Sequence, residues 1–139
     1  MALEQTFAIV KPDAVASGQT GQILAMIQDA GFRVRGLKML RLSKQQAEGF
    51  YEVHRERPFY GGLVEFMTEG PVVVMVLERD NAIKHWRELM GATNPEKAAE
   101  GTIRKKFASS VERNCVHGSD AQETAGVEIP FFFSLSDLL

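Results

Sequence analysis

One cysteine, Cys115, is all the sequence has, so no disulfide can form within the chain, and a reducing compartment, the cytoplasm, fits such usage best. Long hydrophobic runs are missing too. The most apolar stretch, residues 71–77, falls far short of the ~20 residues needed to cross a bilayer, and the N-terminus lacks the basic and apolar segments of a secretory signal. Nor is charge of one sign in excess: 16 Lys plus Arg against 18 Asp plus Glu leave a net charge of −2, which argues against sequence-independent nucleic-acid binding. Any phosphate must therefore be met by a few local cations. There is no GxxxxGK[ST] loop, since Gly18-Gln19-Thr20-Gly21 lacks the lysine, and no HExxH, CxxC or GxSxG. P-loop nucleotide binding, zinc hydrolysis, thiol redox chemistry and serine acyl transfer thus have no support.

What is present suffices for one folded domain over residues 1–139, because 45% of the residues are hydrophobic and a chain of this size can bury a core without metal or disulfide staples. Residues 7–10 (FAIV) read as a strand stopped at Lys11-Pro12-Asp13. Ile23, Leu24, Ile27 and Ala30 recur at helical spacing before Gly31. Residues 33–42 are strand-like with a slip of apolar phase that Gly36 marks as a bulge. Ser43 and Gln46 form a capping box for a short helix carrying Ala47, Phe50 and Tyr51, and a second helix opens near Pro58 and ends at Gly70, making a helical hairpin.

Residues 72–77 are apolar on both parities, the pattern of a central strand covered on both faces. Asp80 or Asn81 is placed to cap the next helix, whose Ala82, Ile83, Trp86, Leu89 and Met90 face the core before Gly91. Residues 92–110 show little periodicity, and a segment of that length is more often functional than accidental. Residues 114–117 read as a last strand, with Ser119 and Gln122 as a second capping box, and Phe131-Phe132-Phe133 must dock on something, either within one subunit or across a dimer contact. The order predicts an α+β, ferredoxin-like βαββαβ plan: a four-stranded antiparallel sheet with helices on one face, an inserted helical hairpin and a long irregular loop.

Chemistry converges on His117, which ends a predicted strand and opens through Gly118 onto a helix N-terminus, where backbone N–H groups favour anions. A neutral imidazole there is a phosphoryl acceptor, and Glu128 is a carboxylate able to hold its ring. His54 and His85 sit among charged residues on predicted helices, where histidines are commonly solvated. Lys11, Arg87, Arg104 and Arg55 or Arg57 are the cations in distinctive contexts, and three of them converging would neutralise a polyphosphate. Phe59 and Tyr51 offer rings to a nucleobase, although core packing is the commoner role of helical aromatics.

Lys11-Pro12-Asp13, Arg57-Pro58-Phe59, Gly70-Pro71-Val72, Gly91-Ala92-Thr93-Asn94-Pro95, Gly101-Thr102-Ile103-Arg104 and Asn114-Cys115-Val116-His117-Gly118-Ser119-Asp120 stand in the order and spacing of nucleoside diphosphate kinase, which the chain resembles over essentially its whole length. The resemblance implies transfer of the γ-phosphate of a nucleoside triphosphate, mainly ATP, to nucleoside diphosphates by a ping-pong route through phosphohistidine at His117. It also implies that Lys11 touches phosphate and the sugar hydroxyl region, that Arg87, Thr93 and Arg104 hold phosphates, that Asn114 contacts the ribose, and that Phe59 stacks on the base. Tyr51 matches a tyrosine near the nucleophile, and Ser119 and Glu128 match the pair that orients it. Mg²⁺ would ride on the nucleotide's phosphates, with Asp120 meeting it only through water.

Stacking and sugar contacts do not identify a base, so broad base tolerance is expected. Three features depart from the family pattern: Glu100 where proline is frequent, Lys105-Lys106 after Arg104, and Trp86 beside Arg87, a core side chain by composition. The resemblance further implies homo-oligomers built from dimers, with the tetramer favoured by likeness to bacterial members, and a part in maintaining nucleoside triphosphate pools. An RNA-binding or small-molecule-sensing module is the rival reading of a ferredoxin-like sheet.

Overall fold

The computed structural model describes residues 3–139. Along the chain run β1 (Leu3–Val10), α1 (Pro12–Ala16), α2 (Thr20–Asp29), β2 (Arg33–Leu40), α3 (Lys44–Phe50), α4 (Tyr60–Met67), β3 (Val72–Asp80), α5 (Ala82–Met90), α6 (Ile103–Phe107), β4 (Val116–Gly118) and α7 (Gln122–Phe132). Among the described residues one antiparallel sheet forms in the order β2-β3-β1-β4, so the two most apolar strands, β1 and β3, are central. Phe7 faces Val76 and Ile9 faces Val74 across their ladder.

The sheet buries both faces, where the βαββαβ plan alone places helices on one. Ala8, Val10, Val73, Met75 and Leu77 point toward Ile23, Ile27, Trp86 and Met90 of α2 and α5. Phe7, Ile9, Val72, Val74 and Val76 point the other way, toward the hairpin of α3 and α4 and toward Phe133. Alternate parities of β1 and β3 thus serve separate cores, which is why neither strand shows an alternating pattern. The phenylalanine tail docks within the chain: Phe132 stacks on Phe7 with ring centroids 5.5 Å apart, and Phe133 is buried.

Gly36 takes the expected irregularity, a register shift between Val34 and Gly36 on β2. A Cβ there would lie 2.9 Å from the Phe133 ring, so glycine permits both the bulge and the closure of the tail. Other local expectations shift. Pro12 starts a short helix rather than a polar tip, α4 begins at Tyr60 beyond Pro58, and residues 92–110 hold a 3-10 turn (Pro95–Lys97) as well as α6. Thr102 caps α6 by accepting from the Lys105 N–H.

The Ser43–Gln46 capping box forms as predicted, but two other predicted caps do not. At α5 the chain turns through Asn81 in the left-handed region (φ 48°), and the Asn81 side chain makes no cap bond, while Asp80 pairs with Arg79. The helix is capped instead from β1: Glu4 Oε1 accepts from the Ile83 N–H at 2.9 Å, and Glu4 Oε2 accepts from Gln122 Nε2 at 2.8 Å. At α7 the N-terminal residue is preceded by Ala121, and Ser119 is occupied elsewhere.

One carboxylate therefore ties the starts of the two helices that flank the site. Glu4→Ala should lower unfolding free energy by about 1–2 kcal/mol. Asn81→Gly, at a left-handed position whose side chain caps nothing, should leave it within about 0.5 kcal/mol. Urea denaturation of the two variants checks both values; equal losses would return the cap to Asn81.

Candidate active site

His117 is the middle residue of β4, paired with Ile9 of β1. Its ring projects among Phe7, Phe50 and Tyr51, with the Tyr51 ring perpendicular at 6.2 Å and the Phe50 ring at 5.4 Å. Nε2 lies 3.1 Å from Glu128 Oε1, and Ser119 Oγ donates to that same oxygen at 2.7 Å. Ser119 is fully buried, so its hydroxyl satisfies the carboxylate that grips the histidine rather than the start of α7. With Nε2 engaged on a carboxylate, the neutral ring carries its proton there and keeps the lone pair on Nδ1.

Two cations share this neighbourhood, both buried and, among the described residues, neither in an ion pair. Lys11 follows β1 and donates from Nζ to Asn114 Oδ1 at 2.9 Å. Burial, reinforced by the nearby Arg104 charge, pulls its pKa down to about 8. Arg104 on α6 spreads its guanidinium over main-chain carbonyls: Nε to Asn114 at 3.3 Å, Nη1 to Gly91 at 3.0 Å and Nη2 to Val116 at 2.8 Å. Burial lowers its pKa as well. Neutral oxygens orient both groups without cancelling their charge, which leaves a site suited to an anion.

Cys115 adopts φ 74°, a left-handed conformation that costs a non-glycine residue and that bends the chain between Asn114 and Val116. Its N–H donates to Asp13 Oδ2 at 3.1 Å, and its carbonyl accepts from the Lys11 N–H at 2.7 Å. The thiol itself is pushed up to about 12 by burial, which makes it inert as a nucleophile. The Tyr51 hydroxyl is buried with no partner among the described residues, and burial beside Glu128 holds its pKa above the ordinary range, so it keeps a proton to donate.

A cavity of about 1250 Å³ opens over these groups. Its wall includes each phosphate, sugar and base residue that the resemblance implies, Lys11, Phe59, Arg87, Thr93, Arg104 and Asn114, together with Tyr51, His117 and Asp120. Arg87 at the mouth is held by Asp120, Nη1 to Oδ1 at 2.7 Å. Phe59 is half exposed, as a ring available for stacking would be. Not every expected group is there. Arg55 is paired with Glu52 on the exterior and Arg57 is absent from the lining, while His85, expected to be solvated, turns to Glu88 outside the cavity.

His54 is the residue the sequence undervalued. It lines the cavity, its ring centroid 5.4 Å from Phe59 and 6.4 Å from Tyr51. The signal was its spacing, three residues after Tyr51 on one helical turn. Val111 and Glu112 also line the cavity, from a stretch with no periodicity to point inward. Among the described residues there is no cluster of three or more His, Cys, Asp or Glu placed to hold a metal, and no helix long and apolar enough to cross a membrane.

A family model described as nucleoside diphosphate kinase matches residues 4–138. The chain is 60% identical over 137 residues to the nucleoside diphosphate kinase of Geobacter sulfurreducens, covering 99% of this chain and 100% of that one. It is likewise 60% identical over 139 residues to that of Methylobacterium sp. strain 4-46, covering 100% and 99%. Among solved structures, the nucleoside diphosphate kinase of Aquifex aeolicus superposes with a TM-score of 0.97 at 46% identity, covering 99% and 100%. That of Halobacterium salinarum in complex with CDP gives 0.95 at 38%, covering 99% and 92%. The sheet order and the helices over it are the ferredoxin-like arrangement of these neighbours.

Lys11 supplies a titration that can be followed directly. Its value in the folded protein lies below the ordinary 10.5, so the site carries the charge below about pH 8 and loses it above. Affinity for sulfate, an anion that does not titrate there, should be level from pH 6.5 to 7.5 and then weaken by up to about tenfold per pH unit. Lys11→Gln should bind weakly throughout with no step near pH 8, and a step that survives the substitution would belong to another group. Isothermal titration across pH reads both.

Proposed function

Because the chain belongs to the nucleoside diphosphate kinase family, enzymes that move phosphate between nucleotides, we propose that it does so by a ping-pong reaction through a covalent phosphohistidine at His117. The observation that carries this reading is the fixed imidazole, with Nε2 committed to Glu128 and Nδ1 left with its lone pair beside a cavity whose wall holds Lys11 and Arg104, neither in an ion pair among the described residues. In the first half-reaction the Nδ1 lone pair bonds to the terminal phosphorus of a triphosphate. The phosphorus–oxygen bond to the penultimate phosphate breaks, and the diphosphate leaves with that electron pair. The second half-reaction runs the same step backward, with a terminal oxygen of another diphosphate as acceptor. No proton need leave the ring, because the Glu128 carboxylate meets the positive charge that the imidazole gains.

Lys11, Arg87, Thr93 and Arg104 hold the phosphates. A guanidinium has five N–H donors, so Arg104, with its carbonyl contacts made, still has donors to offer. Tyr51, a buried hydroxyl without a partner, gives a hydrogen bond at the transferring group. Asn114 and Lys11 meet the sugar, and Phe59 stacks on the base through a ring that itself carries no polar group, which supports broad base tolerance.

Nucleotide kinases generally use a divalent cation, and Mg²⁺ carried on the nucleotide's phosphates fits a wall where Asp120 stands at the mouth already in contact with Arg87. When bound it supplies charge neutralisation of the phosphates. The whole chain acts as one domain in this reading. Cytoplasmic maintenance of triphosphate pools by a homo-oligomer built from dimers, the tetramer favoured, completes it, and sedimentation of the purified protein tests the assembly.

The deciding experiment is a single-turnover incubation with γ-labelled ATP and magnesium, mapping of the labelled peptide, and a chase with GDP, CDP and UDP separately. Acid-labile, alkali-stable label on His117 that each diphosphate discharges is the expected result; a folded protein that binds nucleotide and takes no label overturns it. His117→Ala should abolish transfer while nucleotide affinity changes by less than about threefold, since the phosphate clamp is intact. Glu128→Gln should slow phosphorylation by about 10- to 100-fold with little loss of stability. Rapid quench and thermal melting separate those two effects.

A further inference from the structure

We propose that Trp86 is a positioning residue for the reaction, one that sets the main chain of His117 from the opposite side of the sheet; this rests on the phosphohistidine reading above. β4 is three residues long and has one neighbouring strand, too little ladder to hold a nucleophile in place by itself. The imidazole of His117 lies on the Phe7 face, and the indole belongs to the cluster on the other face with Ala8, Val10 and Val116. From there Trp86 Nε1 donates to the His117 carbonyl at 3.2 Å.

The ring making this bond has no freedom of its own. It is fully buried, and Phe32 meets it edge-on with centroids 6.2 Å apart. A Cβ at Gly118 would lie 2.5 Å from both Cδ1 and Nε1 of the indole, so the absence of a side chain just after His117 is what admits the ring. Arg104 holds the carbonyl of Val116, Trp86 that of His117, and Glu128 the imidazole, so strand and ring are each fixed from a different direction.

Trp86 also adjoins Arg87 on α5. One turn of helix therefore carries an arginine on the phosphate side and the anchor of the attacking residue, which ties the two reacting partners to a common support. Such support matters because reacting atoms must stand roughly 3–3.5 Å apart in line, and a shift of about 1 Å can cost about a hundredfold in rate. The indole bond acts on that distance and makes no contact with the nucleotide, so its loss lowers the rate of phosphorylation and leaves nucleotide affinity alone.

The test uses Trp86→Phe and, as a volume-matched companion, the full chain with the indole of its single tryptophan replaced by the benzothiophene isostere, which lacks the N–H. Single-turnover phosphorylation by Mg-ATP is followed against ATP concentration. The expected result for the isostere is a wild-type melting temperature, a limiting rate about tenfold lower and an unchanged half-saturating concentration, with Trp86→Phe at least as slow. A wild-type limiting rate in the isostere overturns the proposal, as does a loss confined to half-saturation or explained by unfolded protein. If the unaltered protein itself takes no label on His117, the phosphohistidine reading has failed, and the two failures are told apart.

Discussion

Two positive charges taken out of water with no carboxylate in ion-pair contact, among the described residues, impose the main constraint on this molecule. Lys11 and Arg104 would each be cheaper to bury in an ion pair, but a carboxylate would cancel the field that an incoming phosphate needs. Asn114 and the carbonyls of Gly91, Asn114 and Val116 resolve the conflict by accepting hydrogen bonds while carrying no net charge. Those carbonyls have to be aimed, and the aiming fixes the backbone around them: the left-handed turn at Cys115 and the positive φ of Gly91 both lie on the segments that meet the guanidinium. Arg104 is thus a structural pin that holds three main-chain carbonyls together.

The opposite half of the site obeys the complementary rule. Glu128 is a largely buried carboxylate, and it is satisfied by one imidazole N–H and one serine hydroxyl on the same oxygen rather than by either cation. Had Lys11 or Arg104 closed on it, the histidine would lose its carboxylate partner and the cavity its uncancelled positive charge. Keeping unlike charges apart within one buried neighbourhood costs stability, and the double core on either side of the sheet is what offsets that cost.

Much of this was legible in the residues. The slip of phase at Gly36 announced a bulge, and the unbroken apolar run in β3 announced a strand with two covered faces. The Lys11, Arg104 and His117 blocks marked the corners of one cavity. What failed was the assignment of polar side chains to local partners. Ser119 has the spacing of a helix cap yet serves Glu128, and Asn81 stands at a helix start that Glu4 caps from the far end of β1. Spacing rules see only neighbours in sequence, whereas a buried carboxylate or an orphan N–H takes whatever donor or acceptor the fold brings near. His54 was overlooked for the same reason, because its value comes from Phe59 and Tyr51 standing around it.

The close fit of Gly118 against the indole of Trp86 also constrains how this sequence can change over generations. A side chain cannot enter at 118 while the large ring occupies its space, but the ring can shrink while 118 stays glycine. Change at the two positions is therefore directional: a smaller residue at 86 has to come first, and a lineage that keeps tryptophan there holds 118 fixed even where selection on the neighbouring histidine is relaxed.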